Sequence, residues 1–334
     1  MKLAIVKLSA MGDIIQAMVV LQFIKKYNEA IKIDWIVDEA FEGLLQQNED
    51  ICNVHIVKLK KARKNKSIFL LFRELLRLRK LNKYDMIIDM QGLIKSSIVA
   101  KFIPSNLIVG FDKKSAREGF SSLLYDNSFK IDYSKNVILR NVNLIENALE
   151  LSISKENLYF KKPFLFPGIQ YNLISRSSFK KNILLIPGSS SHSKCYPIKK
   201  YTDLTNLLDA NFLVIWGNAD EKKMGERIKK QSHNLDITIC DKLSLENLIS
   251  VVSQIDLIIG PDSGPTHMAW ALNIPSIMLF GPTPGYRNTL STRINKVIES
   301  DSKVNPLKIN KHDTSIEDIE VNKIVNLANE LLGE

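Results

Sequence analysis

The sequence predicts an α/β protein of two domains, each a parallel sheet with helices over its faces. Three observations predict it. Short β-branched apolar runs alternate with helical patterns in two separate series, the signature of parallel strands joined by helical crossovers. Between those series, from Lys155 to Lys180, the periodicity fades. Several of the strand-like runs end in Gly, Pro, Ser or Asp clusters, the open turns from which α/β sheets build ligand crevices. Domains are therefore expected at 1–165 and 166–334, with a cleft between them and the final helix available to pack back on the first domain.

The 334 residues suffice for two substantial cores, and 45% hydrophobic with 25% charged residues describes an ordinary globular chain. A net charge of +10 points to an anionic partner: nucleic acid, a phospholipid surface or a phosphorylated substrate. No run reaches the about 18 apolar residues of a membrane span. The opening Met1–Lys7 is too short and too soon charged for a secretory leader, and Cys52, Cys195 and Cys240 lack metal or redox spacing, so a cytoplasmic setting is expected.

In the first series, Leu3–Val6 reads as a strand, followed by the turn Lys7–Asp13 and an amphipathic helix from Ile14 to Lys26. The G-x-G-x-x-G of dinucleotide binders is missing. Asp13, at the helix start, is either a cap that answers the helix dipole or a carboxylate able to take a proton from a hydroxyl. Strands follow at Ile33–Val37, opened by Lys32, and at Val54–Val57, with a helix between them around Ala40–Gln47. Next comes the most basic stretch of the chain. Lys58 to Lys66 carries Lys60, Lys61, Arg63 and Lys64 with no apolar period to bury, and suits the gripping of acidic groups. Ile68 to Leu78 then forms a basic helix with a wide apolar face. That helix either lies on a membrane surface or packs in the core while its long cations reach water. Tyr84–Asp89 is a clear strand leading to Gln91, Gly92 and Lys95, and Leu107–Gly110 is another; Arg117 and Arg140 lie near a loop and a helix start.

The second series places strands at Asn182–Ile186, Phe212–Trp216, Ile237–Ile239, Leu257–Ile259 and Ser276–Phe280. Its first strand ends in Pro187-Gly188-Ser189-Ser190-Ser191-His192-Ser193-Lys194, hydroxyls and a lysine after a glycine turn, which suits a phosphate. Glu221, after Trp216-Gly217-Asn218, either holds a ribose diol or belongs to the acidic first turn of its helix. Leu257–Ile259 runs into Gly260-Pro261-Asp262-Ser263-Gly264-Pro265-Thr266-His267 and then a helix. A helix N-terminus offers unpaired N–H groups and the positive end of the dipole to an anion, with Ser263 or Asp262 as the cap and Asp262 and His267 beside it. The adjacent strand ends in Gly281-Pro282-Thr283.

Four of these stretches in register (Lys7–Asp13, Asp89–Ser96, Ser189 to Lys194, and Asp262–His267 with Gly281–Thr283) resemble the lipopolysaccharide heptosyltransferases of glycosyltransferase family 9. The Met-Gly-Asp and Gln-Gly-Leu-x-Lys-Ser wording is nearest their type I branch. The resemblance implies a GT-B fold, two Rossmann-like domains facing each other across a cleft. It also implies inverting transfer of L-glycero-D-manno-heptose from ADP-heptose to Kdo of Kdo2-lipid A, on the inner face of the inner membrane, with no essential metal or other cofactor. By the same resemblance Asp13 is the general base. Ser189, Ser190 and Lys194, with Asp262, Ser263, Gly264, Pro265 and His267, hold the diphosphate and heptose. Glu221 holds the ribose and the backbone near Leu243 meets the adenine. Lys60, Lys61, Arg63, Lys64, Gln91, Arg117 and Arg140 face the acidic acceptor. The family's paired threonines stand here as Ser189 and Ser190, and a histidine four residues before Arg140 as Asn136. The rivals are a heptosyltransferase II or another nucleotide-sugar enzyme of the same fold, an epimerase, and a basic nucleic-acid binder, for which no motif is present.

Overall fold

The computed structural model describes residues 1–59, 67–168, 170–171, 180–306, 309–310 and 312–333. The chain divides into two compact units, Met1–Phe164 and Leu165–Glu334. Each carries a six-stranded sheet whose recorded pairings are all parallel.

In the first unit the strands are β1 (Lys2–Val6), β2 (Lys32–Asp38), β3 (Asn53–Val57), β4 (Tyr84–Asp89), β5 (Ser105–Phe111) and β6 (Asn127–Phe129). They lie in the order β3-β2-β1-β4-β5-β6. The second unit has β7 (Asn182–Leu185), β8 (Asn211–Val214), β9 (Ile237–Ile239), β10 (Leu257–Pro261), β11 (Ser276–Phe280) and β12 (Asn295–Glu299), ordered β12-β11-β10-β7-β8-β9. The two orders are the same doubly wound plan. In each, the winding direction reverses between the unit's first and fourth strands, β1 and β4 or β7 and β10. The chain leaves the sheet on opposite sides at that reversal, so the strand ends there open into a crevice.

Burial explains why the central strands are so apolar. Leu3 to Val6 and Leu257 to Ile259 are wholly buried, as expected where helices cover both faces. Trp35, also fully buried, satisfies its indole N–H on the Lys7 carbonyl at 3.2 Å. The predicted helix from Ile14 to Lys26 is two segments, Met11–Met18 and Val20–Tyr27, meeting at Val19. The helix expected around Ala40–Gln47 is a 3₁₀ turn, Glu39–Leu44, capped by the Asp38 side chain on the Ala40 amide. In the second unit the C-terminal helix Val321–Leu332 buries Ile324 and Ala328 in the unit's own core beside Tyr196 and Tyr201. Tyr196 is fully buried and donates its hydroxyl to the Ile319 carbonyl at 2.7 Å.

Lys161, near the end of the first unit, is only 6% exposed, with its ammonium 5.2 Å from the Phe164 ring centre. Burial pulls its pKa down to about 7 from 10.5. A depressed lysine loses its proton in the folded state first, so across that interval the unfolded chain binds more protons and stability rises with pH. Lys161→Met is expected to flatten the rise and to add about 2 kcal/mol at pH 7, the size of a buried charge no longer desolvated. Urea unfolding at pH 7 and pH 9 checks this; an unchanged slope in the variant contradicts it.

Candidate active site

The first unit's reversal point gathers the end of β1 and the end of β4. The Gln91 side-chain carbonyl accepts the Leu8 and Ser9 amides at 2.9 and 3.1 Å, and the Lys7 ammonium donates to the Met90 carbonyl at 2.8 Å. Lys95 donates to the Ser9 hydroxyl at 3.3 Å. Gln91 therefore shapes the turn that carries Asp13. Asp13 itself is exposed, at the third position of the helix Met11–Met18, where its carboxylate accepts the Ala10 amide at 3.2 Å. The capping role is thus realised, and exposure keeps the carboxylate within reach of a hydroxyl.

Beneath this turn Asp89 is fully buried. One of its oxygens accepts Ser96 and Tyr125 hydroxyls, each at 2.8 Å, and the other accepts the Gln91 amide at 2.8 Å. Burial raises its pKa and outweighs the lowering effect of those hydrogen bonds. Asp89 fixes Gln91 and so fixes the Asp13 turn; in the sequence it stood as the acid that closes an apolar strand and opens the Asp89–Ser96 stretch, with no role of its own assigned. Gly92 follows with φ +66°, which side-chain-bearing residues rarely adopt, and a Cβ there would crowd the Phe111 ring at 3.3 Å.

The other expected acceptor residues divide. Arg117 is exposed on the loop after β5, beside Glu118, whose amide donates to the Gly92 carbonyl. Arg140 is only 8% exposed; its guanidinium donates to the Ser115 carbonyl at 2.5 Å and lies 4.6 and 4.8 Å from the Phe111 and Tyr133 rings. It clamps the loop that carries Arg117 rather than reaching the surface. Asn136 caps the helix Val137–Leu149 by accepting the Ile138 and Leu139 amides. Lys60, Lys61, Arg63 and Lys64 lie outside the described residues.

In the second unit the ends of β7 and β10 meet at Asp262. One carboxylate oxygen accepts the Lys194 ammonium at 2.7 Å, the Thr283 hydroxyl at 3.2 Å and the Asn288 amide at 3.2 Å. The other lies 3.2 Å from His267 Nε2. Burial would raise this carboxyl, but the His267 hydrogen bond and the Lys194 charge outweigh it and hold it well below the usual carboxylate range. An ammonium has three donors, and Asp262 takes only one, so a lysine pinned here presents the others to an anion.

The helix Gly264–Leu272 starts directly after this hub. Ser263 sits at its N-cap position but no side chain caps it. The reason is local: Thr266 donates to the Pro261 carbonyl at 2.6 Å, so its hydroxyl accepts from Ser263 at 2.8 Å and draws that group away from the helix amides. Pro265 has no N–H, so the Gly264 and Thr266 amides carry the unsatisfied positive end of the helix. Asp262, one of the two residues expected to cap, organises Lys194 and His267 instead.

Ser189 donates to the Asp262 carbonyl at 3.2 Å, which ties the β7 turn to the β10 turn, and Ser190 beside it is exposed. Gly188 lies under the Glu221 side chain: a Cβ there would meet Glu221 carbons at 2.3 Å. Glu221 also accepts the Gly217 amide at 2.6 Å in the first turn of the helix Ala219–Gln231. Its carboxylate thus belongs both to its helix start and to the β7 turn. Leu243 is half-buried in the loop after β9. Asn288 carries no local sign of its role in the sequence; it reaches Asp262 from a four-residue helix, Gly285–Asn288, beyond β11.

Such an arrangement offers fixed positive charge and two free amides to a diphosphate, with a carboxylate alongside. The model of "Glycosyltransferase family 9 (heptosyltransferase)" matches residues 71–316. A protein named lipopolysaccharide heptosyltransferase 1 from Campylobacter coli is 41% identical over all of both chains. Lipopolysaccharide heptosyltransferase 1 of Escherichia coli K12 is 26% identical over 85% of this chain and 89% of its own. The structure of E. coli heptosyltransferase WaaC with ADP matches with TM-score 0.80 at 22% identity, covering 99% of this chain and 100% of that one. That of E. coli ADP-heptose heptosyltransferase II matches with TM-score 0.72 at 19% identity, over 99% and 98%. By its sequence across the whole length and by its pair of doubly wound sheets, the chain belongs to glycosyltransferase family 9, the heptosyltransferases, as a glycosyltransferase with a fold of the GT-B type.

Proposed function

We propose that this chain transfers L-glycero-D-manno-heptose from ADP-heptose to a Kdo hydroxyl of Kdo2-lipid A, with inversion, in making the lipopolysaccharide inner core. The observation that carries the reading is the full-length 41% identity to a relative named lipopolysaccharide heptosyltransferase 1. The donor is held in the second unit. The Gly264 and Thr266 amides and Lys194 receive the diphosphate, with Ser189, Ser190, Ser263 and Pro265 lining the turn. Asp262 and His267 hold this grip in place and meet the heptose, Glu221 takes the ribose, and the Leu243 backbone takes the adenine.

Asp13 removes the acceptor hydroxyl proton as that oxygen bonds to the anomeric carbon. The bond from that carbon to the ADP oxygen breaks on the opposite face, and the electron pair leaves with ADP. Negative charge grows on the diphosphate in the transition state, where Lys194 and the helix amides stabilise it more than in the ground state. The cationic grip lets the reaction run without a metal ion. Lys60, Lys61, Arg63, Lys64, Gln91 and Arg117 serve the anionic acceptor, with Arg140 supporting Arg117 from below. The enzyme works at the inner face of the inner membrane; among the described residues no helix is long and apolar enough to cross one.

The test is a product assay with ADP-heptose and either Kdo2-lipid A or a core that already carries one heptose. Mass gain of one heptose on Kdo2-lipid A is expected. Gain only on the heptosylated core would make the chain a second-step transferase, and donor conversion with no acceptor would make it an epimerase.

A further inference from the structure

The helix Ile68–Leu78 in the first unit divides its apolar residues between two faces. Leu75 and Leu78 are buried in the core, joined there by Val99, Ala100 and Ile103 of the helix Ile94–Phe102 and by Tyr125. Phe69, Phe72 and Leu76, spaced i, i+3 and i+7, are 72%, 52% and 41% exposed and form a second stripe facing away from that core. The helix packs beside Ile94–Phe102, which packs in turn on the 3₁₀ turn Gly119–Leu124. Those neighbours add Ile94 at 41%, Phe120 at 69% and Leu123 at 75% exposure. Three adjacent elements of one layer thus leave six large apolar side chains in water, where scattered single ones need no explanation.

The charge around them selects the occupant. From Ser67 to Lys83 there are five basic residues and one acid, Glu74. Glu74 is already held by Arg77 at 3.1 Å, while Arg73, Arg79 and Lys80 are exposed. Lys113, Lys114 and Arg117 are exposed just before the 3₁₀ turn; the exposed acid beside them, Glu118, has its carboxylate on the Ile94 amide at 2.7 Å. Aromatic and leucine side chains flanked by a net excess of cations suit the boundary between acyl chains and anionic headgroups, whereas an apolar protein groove has no use for that charge.

We propose that this layer docks on an anionic lipid leaflet, with Phe69, Phe72, Leu76, Phe120 and Leu123 entering the headgroup boundary and the surrounding cations meeting lipid phosphates. The inference rests on the reading that the acceptor is held in a membrane. It gives the basic helix both roles, core packing through Leu75 and Leu78 and surface contact through Phe69, Phe72 and Leu76. The helix Ile94–Phe102 begins at the Gly92 turn of the first unit's reversal point, so one element joins the docking layer to the acceptor-side strand ends.

The experiment is sedimentation of the full chain with vesicles of phosphatidylglycerol and phosphatidylethanolamine, against vesicles of phosphatidylcholine alone. Wild type is expected to bind the anionic vesicles preferentially. Phe69→Ser/Phe72→Ser/Leu76→Ser is expected to lower that binding by about tenfold or more, as loss of an inserted apolar face requires. Arg73→Glu/Lys80→Glu, at exposed positions away from the core, is expected to lower it with an unchanged thermal melt, which keeps the test valid should the triple variant fold poorly. Both variants should keep wild-type turnover on an acceptor stripped of its acyl chains and lose it on one embedded in vesicles. Wild-type chain that ignores anionic vesicles, variants that bind them as wild type does, or a wild-type dimer that the substitutions turn monomeric would each overturn the proposal. Vesicle binding without any heptose transfer would leave docking standing and remove the heptosyltransferase reading.

Discussion

Asp13→Asn is expected to lower turnover by about 10²–10⁴-fold, the usual contribution of a positioned general base, with ADP affinity near that of wild type. The asparagine matters because Asp13 also accepts the Ala10 amide at 3.2 Å. An alanine would remove both functions, the second being the carboxylate's half of a capping box closed on the N-cap residue Ala10. The amide oxygen of asparagine keeps the cap and cannot take the proton. Alanine and asparagine variants that are equally inactive, with only the alanine one less stable, separate the two roles of this carboxylate. Full turnover in Asp13→Asn would show that it is a cap and nothing more.

Asp262→Ala is expected to cost about 3–5 kcal/mol of stability, as when one partner of a buried ion pair is removed, and to weaken ADP binding as well. The Asp262 carboxylate collects Lys194, His267, Thr283 and Asn288, and the variant removes that shared contact from all four. The sign of the pH effect follows from the direction of the shift. Asp262 is depressed below its ordinary 3.8, so its stabilisation is fully present above that value and is lost as pH falls through the lower folded value. The gap between wild type and Asp262→Ala should hold constant from pH 7 to 5 and close only in stronger acid. Thermal melts across that range and below it check this; a gap that already closes between pH 7 and pH 5 would contradict it.

How much of this was legible in the sequence depends on where each residue sits. The central strands were readable because burial on both faces demands unbroken β-branched runs, as in Leu3–Val6 and Leu257–Ile259. The edge strands Asn127–Phe129 and Asn295–Glu299 were not, because an edge tolerates polar residues and their patterns look like loop. The turns at Asp13, Gly92, Ser189 and Asp262 stood out because the chain must bend sharply at a strand end, and Gly, Ser, Asp and Pro are the residues that bend it. What those side chains do was less visible. Asp262 holds a lysine instead of capping because Thr283 and Asn288, 21 and 26 residues further on, complete its shell. Arg140 was expected to face the acceptor, and only the placement of Phe111 and Tyr133 shows that it is enclosed. The basic helix had two readings of equal standing, and the structure divides its apolar residues between core and solvent.

The most direct test of the division of labour between the two strand-reversal points is calorimetric titration of ADP into wild type, Asp13→Asn and Lys194→Met. Charged hydrogen bonds contribute about 1.5–3 kcal/mol each, so Lys194→Met should weaken ADP by about 10- to 100-fold, while Asp13→Asn binds as wild type does. ADP affinity that survives Lys194→Met but collapses in Asp13→Asn would contradict the account.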